Sequence, residues 1–458
     1  MKDISKFKRV HCLGIGGIGL SAVAEILADN GHEVSGTDMQ VSEVTRHLES
    51  KGIKVYYEHK AENVEGVDVI VYSAAISDDN PEMVRAKELR IPIMSRAEVL
   101  GMLMDNYDNS IAICGTHGKT TVTSMISLIL RNANYKPTIL VGGNVEEING
   151  NVEIGSRDYF VTEACEYMDS FLALRPKIGV LLNIDSDHLD YFKDMDHIVS
   201  SFRQFVANIP KKGLIVAYGD NPFVKDVLRE YKNKITYGYA ESCDFYAENI
   251  KFDTAGYPEY DLCRKGRTVC HIHLGIPGEH NVLNSMAAFV TASYLGVDNE
   301  TITKTLGSFH GTHRRFDLTG VTKNGVKIVD DYAHHPTEVK ATISAAENVK
   351  HNKLWIIFQP HTYTRTKALF EDFVEAFAKA DELIITDIYA AREKDIYDIS
   401  SYKLVRTMKE AHPDMIVNYV QDFDDIARYL KRNAVKDDII ITMGAGDVYK
   451  VGEMLLND

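Results

Sequence analysis

The segment SIAICGTHGKTT, residues 110–121, decides the fold of this chain. Its apolar first half predicts a strand over residues 110–114, and the residues after the loop recur at helical spacing. The apolar positions of that helix are Val122, Met125, Ile126, Ile129 and Leu130. A strand, a Gly-Lys-Thr loop and a helix make a P-loop, here in a shortened form because Ile113 stands where the common spacing has glycine. The alternative is a chance Gly-Lys-Thr sequence, which the flanking strand and helix disfavour.

The chemistry of such a loop predicts that the chain binds ATP and Mg²⁺. Backbone N–H groups of the loop surround the phosphates, Lys119 reaches the β and γ oxygens, and the Thr120 hydroxyl is available to Mg²⁺. We expect Lys119 to be exposed in the loop, so that its replacement by alanine would stop turnover and leave the fold intact.

A second glycine-rich turn, GIGGIG at residues 14–19, lies near the start of the chain. It follows a predicted strand, Arg9–Leu13, and precedes a predicted helix and a second strand over residues 32–36. With Asp38 about 20 residues further on, this βαβ pattern predicts a site where glycines let the backbone approach a diphosphate. NAD binding and a plain packing turn are the alternatives, but the segment is short for a complete dinucleotide fold.

Two further predicted strands, residues 159–163 and 177–184, run into acidic segments. The second acidic segment is DSDHLD, residues 185–190. Acids and a histidine that directly follow strands are typical of ligand-binding edges in α/β sheets. Their oxygen atoms suit Mg²⁺, with His188 as a further ligand or as an organiser of the ligands. The alternative is that the first two aspartates of this segment cap a following helix.

The last third of the chain alternates strands, polar loops and helices. The predicted strands are residues 326–330, 354–358, 383–386 and 439–442, and the loops after them are residues 331–336, 359–365, 387–393 and 443–447. This alternation predicts a doubly wound parallel sheet whose four loops share one edge. Their histidines, arginines, tyrosines and aspartates predict a pocket for an anion or a polar ligand. A zinc site at the His334-His335 pair is an alternative that lacks further soft ligands.

Length and composition set the remaining limits. The chain has 458 residues and a net charge of −15, so we expect neither nucleic-acid nor membrane-surface binding. Six cysteines without a CxxC pair, no secretory leader and no run of 18 apolar residues favour a cytoplasmic protein without membrane insertion. We predict an α/β fold of three domains: a Rossmann-like domain at residues 1–108, a central P-loop ATPase-like domain at 109–316, and a Rossmann-like parallel-sheet domain at 317–458.

The order of these segments resembles the Mur ligase family, over essentially the whole chain. The resemblance rests on six motifs: GIGGIGLSA, GTHGKTT, GEHNVLNS, GTHRRFD, DDYAHHPTE and FQPHTYTRT. It implies an ATP-dependent, amide-forming enzyme of bacterial cell-wall synthesis, similar within the family to the ligases that join L-alanine to UDP-N-acetylmuramate. The implied substrates are those two compounds and ATP, with Mg²⁺ as cofactor, and the oligomeric state is left open between monomer and homodimer.

The resemblance also implies roles for individual residues. The UDP diphosphate would lie on Gly14, Gly16, Gly17, Ile18 and Gly19, with Asp38 and Ser73 nearby. The ATP site would be Gly115, Thr116, His117, Gly118, Lys119, Thr120, Thr121, His280, Asn281, Asn284, Arg315 and Asp331. Mg²⁺ would be held by Thr120, Glu163 and His188, and the incoming L-alanine by Tyr332, His334, His361 and Arg365. The catalytic residues would be Lys119, His188 and Arg315.

The implied reaction begins with attack of the lactyl carboxylate on the γ-phosphorus of ATP, and the alanine amine then displaces phosphate from the acyl phosphate. Positive charge from Lys119, Mg²⁺ and Arg315 would lower the electrostatic barrier. His361 or His334 would accept the proton of the amine.

The sequence departs from the family pattern at three places, and three other functions stay open. The family's acidic segment EADESD is replaced by EACEYMD at residues 163–169. Thr362 stands where many relatives have a second arginine, which leaves Arg365 as the main carboxylate anchor. Arg203 is found where some sister ligases carry a modified lysine, so we expect no such modification. The alternatives are a ligase that joins a preformed peptide to the same sugar nucleotide during wall recycling, an NAD-dependent oxidoreductase, and a nucleotide-binding regulator without catalysis.

Overall fold

The computed structural model describes residues 4–73, 75–391, 393–395 and 398–457. Over these residues the chain forms three α/β domains on sheets of five, ten and six strands. The predicted fold class, with Rossmann-like first and third domains around a central P-loop domain, is confirmed. Of the loop predicted at residues 387–393, Arg392 lies outside the described residues.

The regular elements are as follows. The strands are β1 (Arg9–Leu13), β2 (Glu33–Thr37), β3 (Lys54–Tyr56), β4 (Val69–Tyr72), β5 (Ile93–Ser95), β6 (Asn109–Cys114), β7 (Thr138–Val145), β8 (Gly150–Glu153), β9 (Tyr159–Glu163), β10 (Ile178–Leu181), β11 (Leu214–Tyr218), β12 (Lys234–Gly238), β13 (Phe245–Phe252), β14 (Pro258–Arg264), β15 (Arg267–His273), β16 (Asp317–Val321), β17 (Lys327–Asp331), β18 (Leu354–Phe358), β19 (Glu382–Ile385), β20 (Val417–Tyr419) and β21 (Ile439–Met443). The α-helices are α1 (Ile18–Asp29), α2 (Glu43–Ser50), α3 (Pro81–Glu88), α4 (Arg96–Met104), α5 (Lys119–Asn132), α6 (Met195–Asn208), α7 (Pro222–Val227), α8 (His280–Tyr294), α9 (Asn299–Ser308), α10 (Pro336–Glu347), α11 (Tyr363–Ala368), α12 (Phe370–Ala376), α13 (Ser401–Ala411), α14 (Phe423–Asn433) and α15 (Tyr449–Leu456). Short 3₁₀ helices cover Ile4–Lys6, Ala61–Val64, Glu146–Ile148 and Tyr167–Ala173.

The first domain is a parallel sheet in the order β3-β2-β1-β4-β5. Its central strand β1 is buried over residues 10–13, as expected for a strand of a parallel sheet covered on both faces. Leu13 pairs in register with Thr37 on one side and with Tyr72 on the other. The glycine turn therefore leaves the sheet at its carboxyl edge, between the ends of β2 and β4.

The central domain has its strands in the order β15-β14-β13-β12-β11-β10-β6-β9-β7-β8. The P-loop strand β6 lies between β10 and β9 and is parallel to both, so the P-loop and Glu163 emerge at the same edge. The two ends of the sheet are antiparallel, which the sequence analysis did not predict. Between β14 and β15, Lys265 and Gly266 have φ angles of 50° and 71°, the geometry of a two-residue hairpin turn that makes neighbouring strands antiparallel.

The third domain has its strands in the order β16-β17-β21-β18-β19-β20. Five of them are parallel, which confirms the predicted parallel sheet, and β16 at the edge, which the sequence analysis did not predict, pairs antiparallel with β17. A tight turn through Gly325, with a φ of 81°, joins β16 directly to β17 and reverses the chain. The four polar loops still share the carboxyl edge of the parallel strands, as predicted.

The helix after the DSDHLD segment begins too far along the chain for the first two aspartates of that segment to cap it. Helix α6 begins at Met195, and its N-cap is Asp194, whose carboxylate accepts a hydrogen bond from the His197 N–H at 2.8 Å. Within the described chain, residues 185–193 form turns and irregular backbone. The helix-capping interpretation of Asp185 and Asp187 was therefore wrong, and both carboxylates are available for other contacts.

The hydrophobic cores show how the domains join. One buried cluster continues from the first domain into the central domain, where Leu100 and Leu103 of α4 belong to the same cluster as Phe171 and Phe202. The two clusters of the third domain contain buried residues of that domain alone. Among the described residues, no helix combines the length and the apolar character needed to cross a bilayer. The third domain meets the central domain at the cavity and through the polar contacts described below.

Candidate functional site

A cavity of about 480 Å³ lies between the central and third domains and brings much of the predicted ATP site together. The predicted residues that line it are His117, Gly118, Thr121, His280, Asn281, Asn284, Arg315 and Asp331. Four aromatic residues that the sequence analysis did not select line it as well: Tyr218, Phe223, Tyr237 and Phe316. Aromatic faces and side-chain amides beside a P-loop suit the base and ribose of a nucleotide.

The P-loop packs closely against helix α8. Gly118 has a φ of 86° and is the N-cap of α5, and a Cβ at this position would lie 2.6 Å from Asn284 Oδ1. The amide of Asn284 donates to Asn281 Oδ1 at 2.9 Å, and the amide of Asn281 donates to the Pro277 carbonyl at 2.6 Å. These amides fix the wall behind the loop, and a side chain at position 118 would collide with it.

Lys119 is mostly buried, so the expectation that it is exposed was wrong. Its ammonium donates to the Gly115 carbonyl at 2.5 Å, to the Thr116 carbonyl at 3.0 Å, and to both carboxylate oxygens of Glu166 at 2.9 Å. The side chains of Lys119 and Glu166 are 15% and 3% exposed. Burial disfavours the ammonium, but the Glu166 carboxylate keeps the pKa of Lys119 above its usual value. The P-loop lysine therefore stays charged, with a buried acid as its partner.

Oxygen ligands suited to a divalent cation lie around the start of α5. Glu163 at the end of β9 accepts from the Gly142 N–H at 2.7 Å, and a Cβ at Gly143 would lie 3.3 Å from the methyl of Thr120. His188 has a positive φ of 54°, and its Nε2 lies 3.9 Å from Oε1 of Glu166. A hydroxyl, two carboxylates and an imidazole are a donor set that fits Mg²⁺. Glu166 lies beside His188, one of the three residues predicted to hold the metal.

His117 of the P-loop links the central domain to the third domain. Its Nδ1 lies 3.1 Å from Glu338 Oε1, and its Nε2 lies 3.3 Å from Asp185 Oδ2. The Thr337 hydroxyl donates to the same Asp185 oxygen at 2.9 Å. Although burial opposes the charge, hydrogen bonds to Asp185 and Glu338 raise the pKa of His117 to about 9. At neutral pH this histidine is a cation between two acids, one from each domain.

The adjacent histidines at the start of α10 face different partners. His335 donates from Nε2 to the Ser186 carbonyl at 2.8 Å, which adds another bond between the domains. His334 donates from Nδ1 to the Tyr332 carbonyl at 2.9 Å, and its ring lies 5.8 Å from that of His361. These separate roles do not support a zinc site made by the pair.

The predicted alanine-binding residues meet an acid of the central domain. Arg365 Nε and Nη2 each lie 3.1 Å from Asp187 Oδ1, and Nη1 donates to His361 Nδ1 at 3.2 Å. Burial alone would raise the pKa of Asp187, but Arg365 and the neighbouring histidines hold it well below its usual range. Burial lowers the pKa of His361 to about 3 and that of His334 to about 4. At neutral pH both rings are therefore uncharged, and Arg365 and Asp187 form an ion pair.

Arg315 and Asp331 lie on the side of the cavity that faces the third domain. The Asp331 carboxylate accepts from the Phe316 N–H at 2.8 Å and from the Ala333 N–H at 2.7 Å. The Arg315 guanidinium lies 5.3 Å from the centre of the Tyr332 ring. Burial raises the pKa of Asp331 to about 6, and the charge of Arg315 opposes that shift. The structure thus brings this acid and this arginine to the nucleotide-sized cavity.

The glycine turn of the first domain is held by the end of β2. The N–H groups of Gly14 and of the next residue donate to the Thr37 carbonyl at 2.8 and 3.1 Å, and the Gly16 N–H donates to Asp38 Oδ2 at 2.9 Å. Ser73 closes the other side, since a Cβ at Gly14 would lie 2.9 Å from its hydroxyl. Asp38 and Ser73 are therefore brought to the turn, where Asp38 fixes the backbone of the turn itself.

A buried acid behind the turn was missed by the sequence analysis. Glu82 is fully buried and accepts from the Thr37 hydroxyl at 2.6 Å and from the Asn63 amide at 2.7 Å. His59 contacts its other oxygen, and His11 Nε2 lies 3.5 Å from the first. Burial acts against the charge, but the hydrogen bonds from His11 and the other donors lower the pKa of Glu82 to about 2. An ionised Glu82 thus anchors Thr37 at the end of β2, whose carbonyl holds the glycine turn.

The other residues missed at the site had a signal in the sequence. Glu166 lies in the acidic segment that follows β9, and Glu338 lies in the motif DDYAHHPTE. Both glutamates lay inside motifs that indicated the site. The motifs did not show that Glu166 would pair with Lys119 or that Glu338 would pair with His117. Glu82 had no such signal, because a lone glutamate near a proline is ordinary at the start of a helix.

Comparison with known proteins gives three family matches in the order of the domains. The Mur ligase family, catalytic domain, matches residues 9–108; the Mur ligase middle domain matches residues 113–292; and the Mur ligase, glutamate ligase domain, matches residues 314–446. The UDP-N-acetylmuramate–L-alanine ligase of Alkaliphilus metalliredigens is 49% identical over 455 residues, covering 99% of this chain and 98% of that protein. The ligase of the same name from Caldanaerobacter subterraneus is 49% identical over 457 residues, which cover 100% of this chain and 99% of that protein.

Solved structures with the same architecture cover nearly the whole chain. The UDP-N-acetylmuramate–alanine ligase of Thermotoga maritima superposes with a TM-score of 0.82, is 27% identical, and covers 98% of both chains. A murein peptide ligase from Psychrobacter arcticus has a TM-score of 0.72 at 24% identity, also over 98% of both chains. A ligase of the same fold from Thermotoga maritima was solved in complex with ADP; it has a TM-score of 0.64 at 18% identity and covers 87% of this chain and 96% of that chain.

Proposed function

The chain belongs to the Mur ligase family, and from this premise we propose that its site joins L-alanine to the lactyl carboxylate of UDP-N-acetylmuramate while ATP is converted to ADP and phosphate. This is the activity named for relatives that are 49% identical over the whole chain. The enzyme is an ATP-dependent acid–amino-acid ligase that acts in the synthesis of peptidoglycan precursors.

One observation carries the proposal at the level of the site. The P-loop with Lys119 opens onto the same interface between two domains as Arg365, which is the expected anchor of the amino acid. The acidic segment with Asp187 lies between them and contacts both sides. A single cleft can therefore hold a triphosphate, a carboxylate and an amino acid next to each other, as amide formation through an acyl phosphate requires.

The residues present fit ATP and Mg²⁺. Asn281, Asn284 and the aromatic side chains of the cavity suit the nucleoside, and Lys119 exchanges the Glu166 carboxylate for phosphate oxygens when the triphosphate binds. Thr120, Glu163 and His188, together with the nearby Glu166, would hold the cation. When bound, Mg²⁺ supplies positive charge to the phosphate oxygens.

The first step needs positive charge, because a carboxylate must approach a triphosphate. The lactyl oxygen forms a bond to the γ-phosphorus while the bond from that phosphorus to the oxygen of ADP breaks. Lys119 neutralises the γ-phosphate from the P-loop, and Arg315 does so from the opposite wall of the cavity. Once the triphosphate has replaced Glu166 as the partner of Lys119, both positive charges are in place before the carboxylate attacks.

The second step needs a neutral amine. The amine forms a bond to the acyl carbon, the bond from that carbon to the phosphate oxygen breaks, and one proton leaves the nitrogen. His334 is uncharged at neutral pH, and because its Nδ1 donates to the Tyr332 carbonyl, its Nε2 carries the lone pair that can accept that proton. The lone pair of His361 on Nδ1 already accepts from Arg365. The contacts of Asp185 and Asp187 with the third domain close the cleft and keep water away from the acyl phosphate.

The alternatives have less support. The murein peptide ligase from Psychrobacter arcticus shares the fold at 24% identity, whereas the relatives at 49% identity carry the name of the alanine enzyme. In an NAD site the acid after the second strand would bind a ribose hydroxyl, but here Asp38 accepts from the Gly16 N–H of the turn. We place the reaction in the cytoplasm, which the six free thiols support.

The proposal is tested by phosphate release from Mg·ATP with UDP-N-acetylmuramate. The assay is run with L-alanine, glycine, L-serine, a stem tripeptide or no acceptor. Release that requires both the sugar nucleotide and L-alanine is the expected result. Release with the tripeptide alone would assign the chain to wall recycling, and no release under any condition would contradict a catalytic role.

A further inference from the structure

Tyr167 lies over the ring of His188, one of the residues that would hold Mg²⁺. The centres of the two rings are 4.7 Å apart, and their planes are tilted by 38°. The Tyr167 hydroxyl donates to Asp190 Oδ2 at 2.8 Å, so the tyrosine is fixed between His188 and the acid two residues beyond it. Tyr167 belongs to the EACEYMD segment, where the sequence departs from the family pattern. The proposed function gives this tyrosine no role.

A second tyrosine makes the reciprocal contact between the same two parts of the chain. The Tyr191 hydroxyl donates to Asp169 Oδ2 at 2.5 Å, and the hydroxyl of Ser201 on α6 donates to the other oxygen. The rings of Tyr167 and Tyr191 also meet edge to face, with centres 6.3 Å apart. Each tyrosine therefore donates to an acid in the segment of the other, and the two segments are fixed to each other twice.

The backbone beside these contacts has a conformation that residues other than glycine seldom adopt. Met168, Asp169 and His188 have φ angles of 52°, 54° and 54°. The N–H groups of Tyr191 and Phe192 both donate to the His188 carbonyl at 2.9 Å. Unfavourable backbone of this kind persists where surrounding contacts fix it, and it is concentrated at ligand sites. The tyrosine contacts lie beside all three positions and supply that fixation.

The ring contact also bears on where the imidazole of His188 points. Its Nε2 lies 3.9 Å from Glu166 Oε1 and 3.7 Å from Asp187 Oδ2, and the side chain is 22% exposed. A rotation of the imidazole away from these carboxylates would break its contact with the Tyr167 ring. Histidines that bind metals are commonly oriented by neighbours that do not themselves touch the ion.

We propose that Tyr167 is a positioning residue that orients His188 for a divalent cation, and that the bond to Asp190 keeps the tyrosine ring in place. The proposal rests on the cation site of the proposed function and deepens it, because it assigns a role to the segment that differs from the family pattern. An imidazole that is already in place loses less rotational freedom when the cation binds, which increases the affinity for the cation.

The test measures binding of Mn²⁺ to the full-length protein in the presence of the β,γ-methylene analogue of ATP. Electron paramagnetic resonance of free Mn²⁺ gives the affinity, and nitrogen modulation in pulsed spectra of bound Mn²⁺ reports an imidazole ligand. His188→Ala gives the spectrum without that ligand. Tyr167→Ala is expected to weaken Mn²⁺ binding by roughly 10- to 100-fold and to reduce the nitrogen modulation.

Two further variants keep the test decisive. Tyr167→Phe keeps the ring over His188 and removes only the hydroxyl, so we expect Mn²⁺ binding to weaken about fivefold, as for the loss of one hydrogen bond. In steady-state assays this variant needs more Mg²⁺ for its half-maximal rate, and its kcat returns to within twofold of the wild type at saturating Mg²⁺. Tyr294→Ala, at an exposed tyrosine of the same domain, is the control and should change neither quantity.

The outcomes separate this inference from the proposed function. A lower unfolding temperature with unchanged Mn²⁺ affinity in the Tyr167 variants would overturn the positioning role while the ligase activity stands, and so would a wild-type spectrum identical to that of His188→Ala. If Tyr167→Ala does not fold, Tyr167→Phe decides by the same criterion. Weaker Mn²⁺ binding in the variants of a protein that shows no ligase activity would support Tyr167 and contradict the proposed reaction.

Discussion

The guanidinium of Arg365 in the third domain is paired with the carboxylate of Asp187 in the central domain, with Nε and Nη2 each 3.1 Å from the same oxygen. The two side chains are only 10% and 8% exposed. The residue expected to anchor the carboxylate of the amino acid is therefore already neutralised by an acid from across the cleft. Amino-acid binding must share this arginine with Asp187, which couples the site to the contact between the domains.

Arg365→Lys is expected to raise the KM for L-alanine by roughly 10- to 100-fold, because a lysine cannot hold Asp187 and a substrate carboxylate with the same geometry. The KM for UDP-N-acetylmuramate should stay within twofold. Steady-state kinetics with each substrate varied in turn give both values. Arg406→Ala, an exposed arginine of the same domain, is the matched control, and an unchanged KM for L-alanine would remove Arg365 from the amino-acid site.

Lys119→Met is expected to lower turnover by 10²-fold or more, in the range of other electrostatic groups at reaction centres. It also leaves the buried Glu166 carboxylate without its partner, which costs about 3–5 kcal/mol of stability. The double variant Lys119→Met/Glu166→Gln should recover most of the thermal stability and none of the activity. Calorimetry and phosphate release separate the two effects, and activity in the stable double variant would exclude a catalytic role for Lys119.

His117→Gln should lower the unfolding temperature in a pH-dependent manner. The pKa of His117 rises from 6.5 to about 9 in the folded protein, so its bonds with Asp185 and Glu338 contribute fully below pH 6.5 and are lost as the pH rises through about 9. A shift of this size corresponds to roughly 3 kcal/mol. Calorimetry of the wild type and the variant at pH 6.5 and pH 9.5 should show a difference that closes at the higher pH.

The control for this prediction is His47→Gln, because the half-exposed His47 pairs with Glu25 of its own domain. Its unfolding temperature should track the wild type at both pH values. If the difference in unfolding temperature between His117→Gln and the wild type is the same at pH 6.5 and 9.5, the charge of His117 does not hold the domains together.

Glu82→Gln keeps the shape of the buried side chain but removes the charge that its donors face. The amide oxygen can replace Oε1, which accepts from Thr37 and Asn63, but the NH2 group then faces His59, which contacts Oε2. We therefore expect a loss of about 3–5 kcal/mol in the stability of the first domain, because the buried charge that these donors face is removed. Thermal unfolding followed by calorimetry measures it. Glu65→Gln, an exposed acid of the same domain, is the control, and an equally small effect in both variants would contradict an anchoring role for Glu82.

Much of the fold could be predicted because local patterns decide it. Strands β1, β9 and β18 were predicted with the ends that the structure gives them, since each is a short apolar run between clear turn signals. The antiparallel ends of the central sheet and the reversed β16 were not predicted. Their direction depends on short turns such as the one through Lys265 and Gly266, and on which neighbour each strand finds.

Part of the site was also within reach of the sequence. The P-loop, the glycine turn and the third-domain loops were selected because parallel strands bring the loops at their carboxyl ends to one edge. The burial of Lys119 and the partner of Arg365 could not be predicted. Glu166 lies 47 residues from Lys119, and Asp187 lies 178 residues from Arg365. No periodicity or spacing connects positions so far apart.

The sequence by itself determined the three α/β domains, the loops that carry the chemistry, and the membership of the Mur ligase family. These follow from short-range patterns of apolar residues and glycines that any chain with this order must satisfy. Only the tertiary structure decided which charges meet: Lys119 with Glu166, Arg365 with Asp187, and His117 between acids of two domains. Pairing of buried charges depends on distance and burial in three dimensions, and those two quantities exist only once the domains have packed.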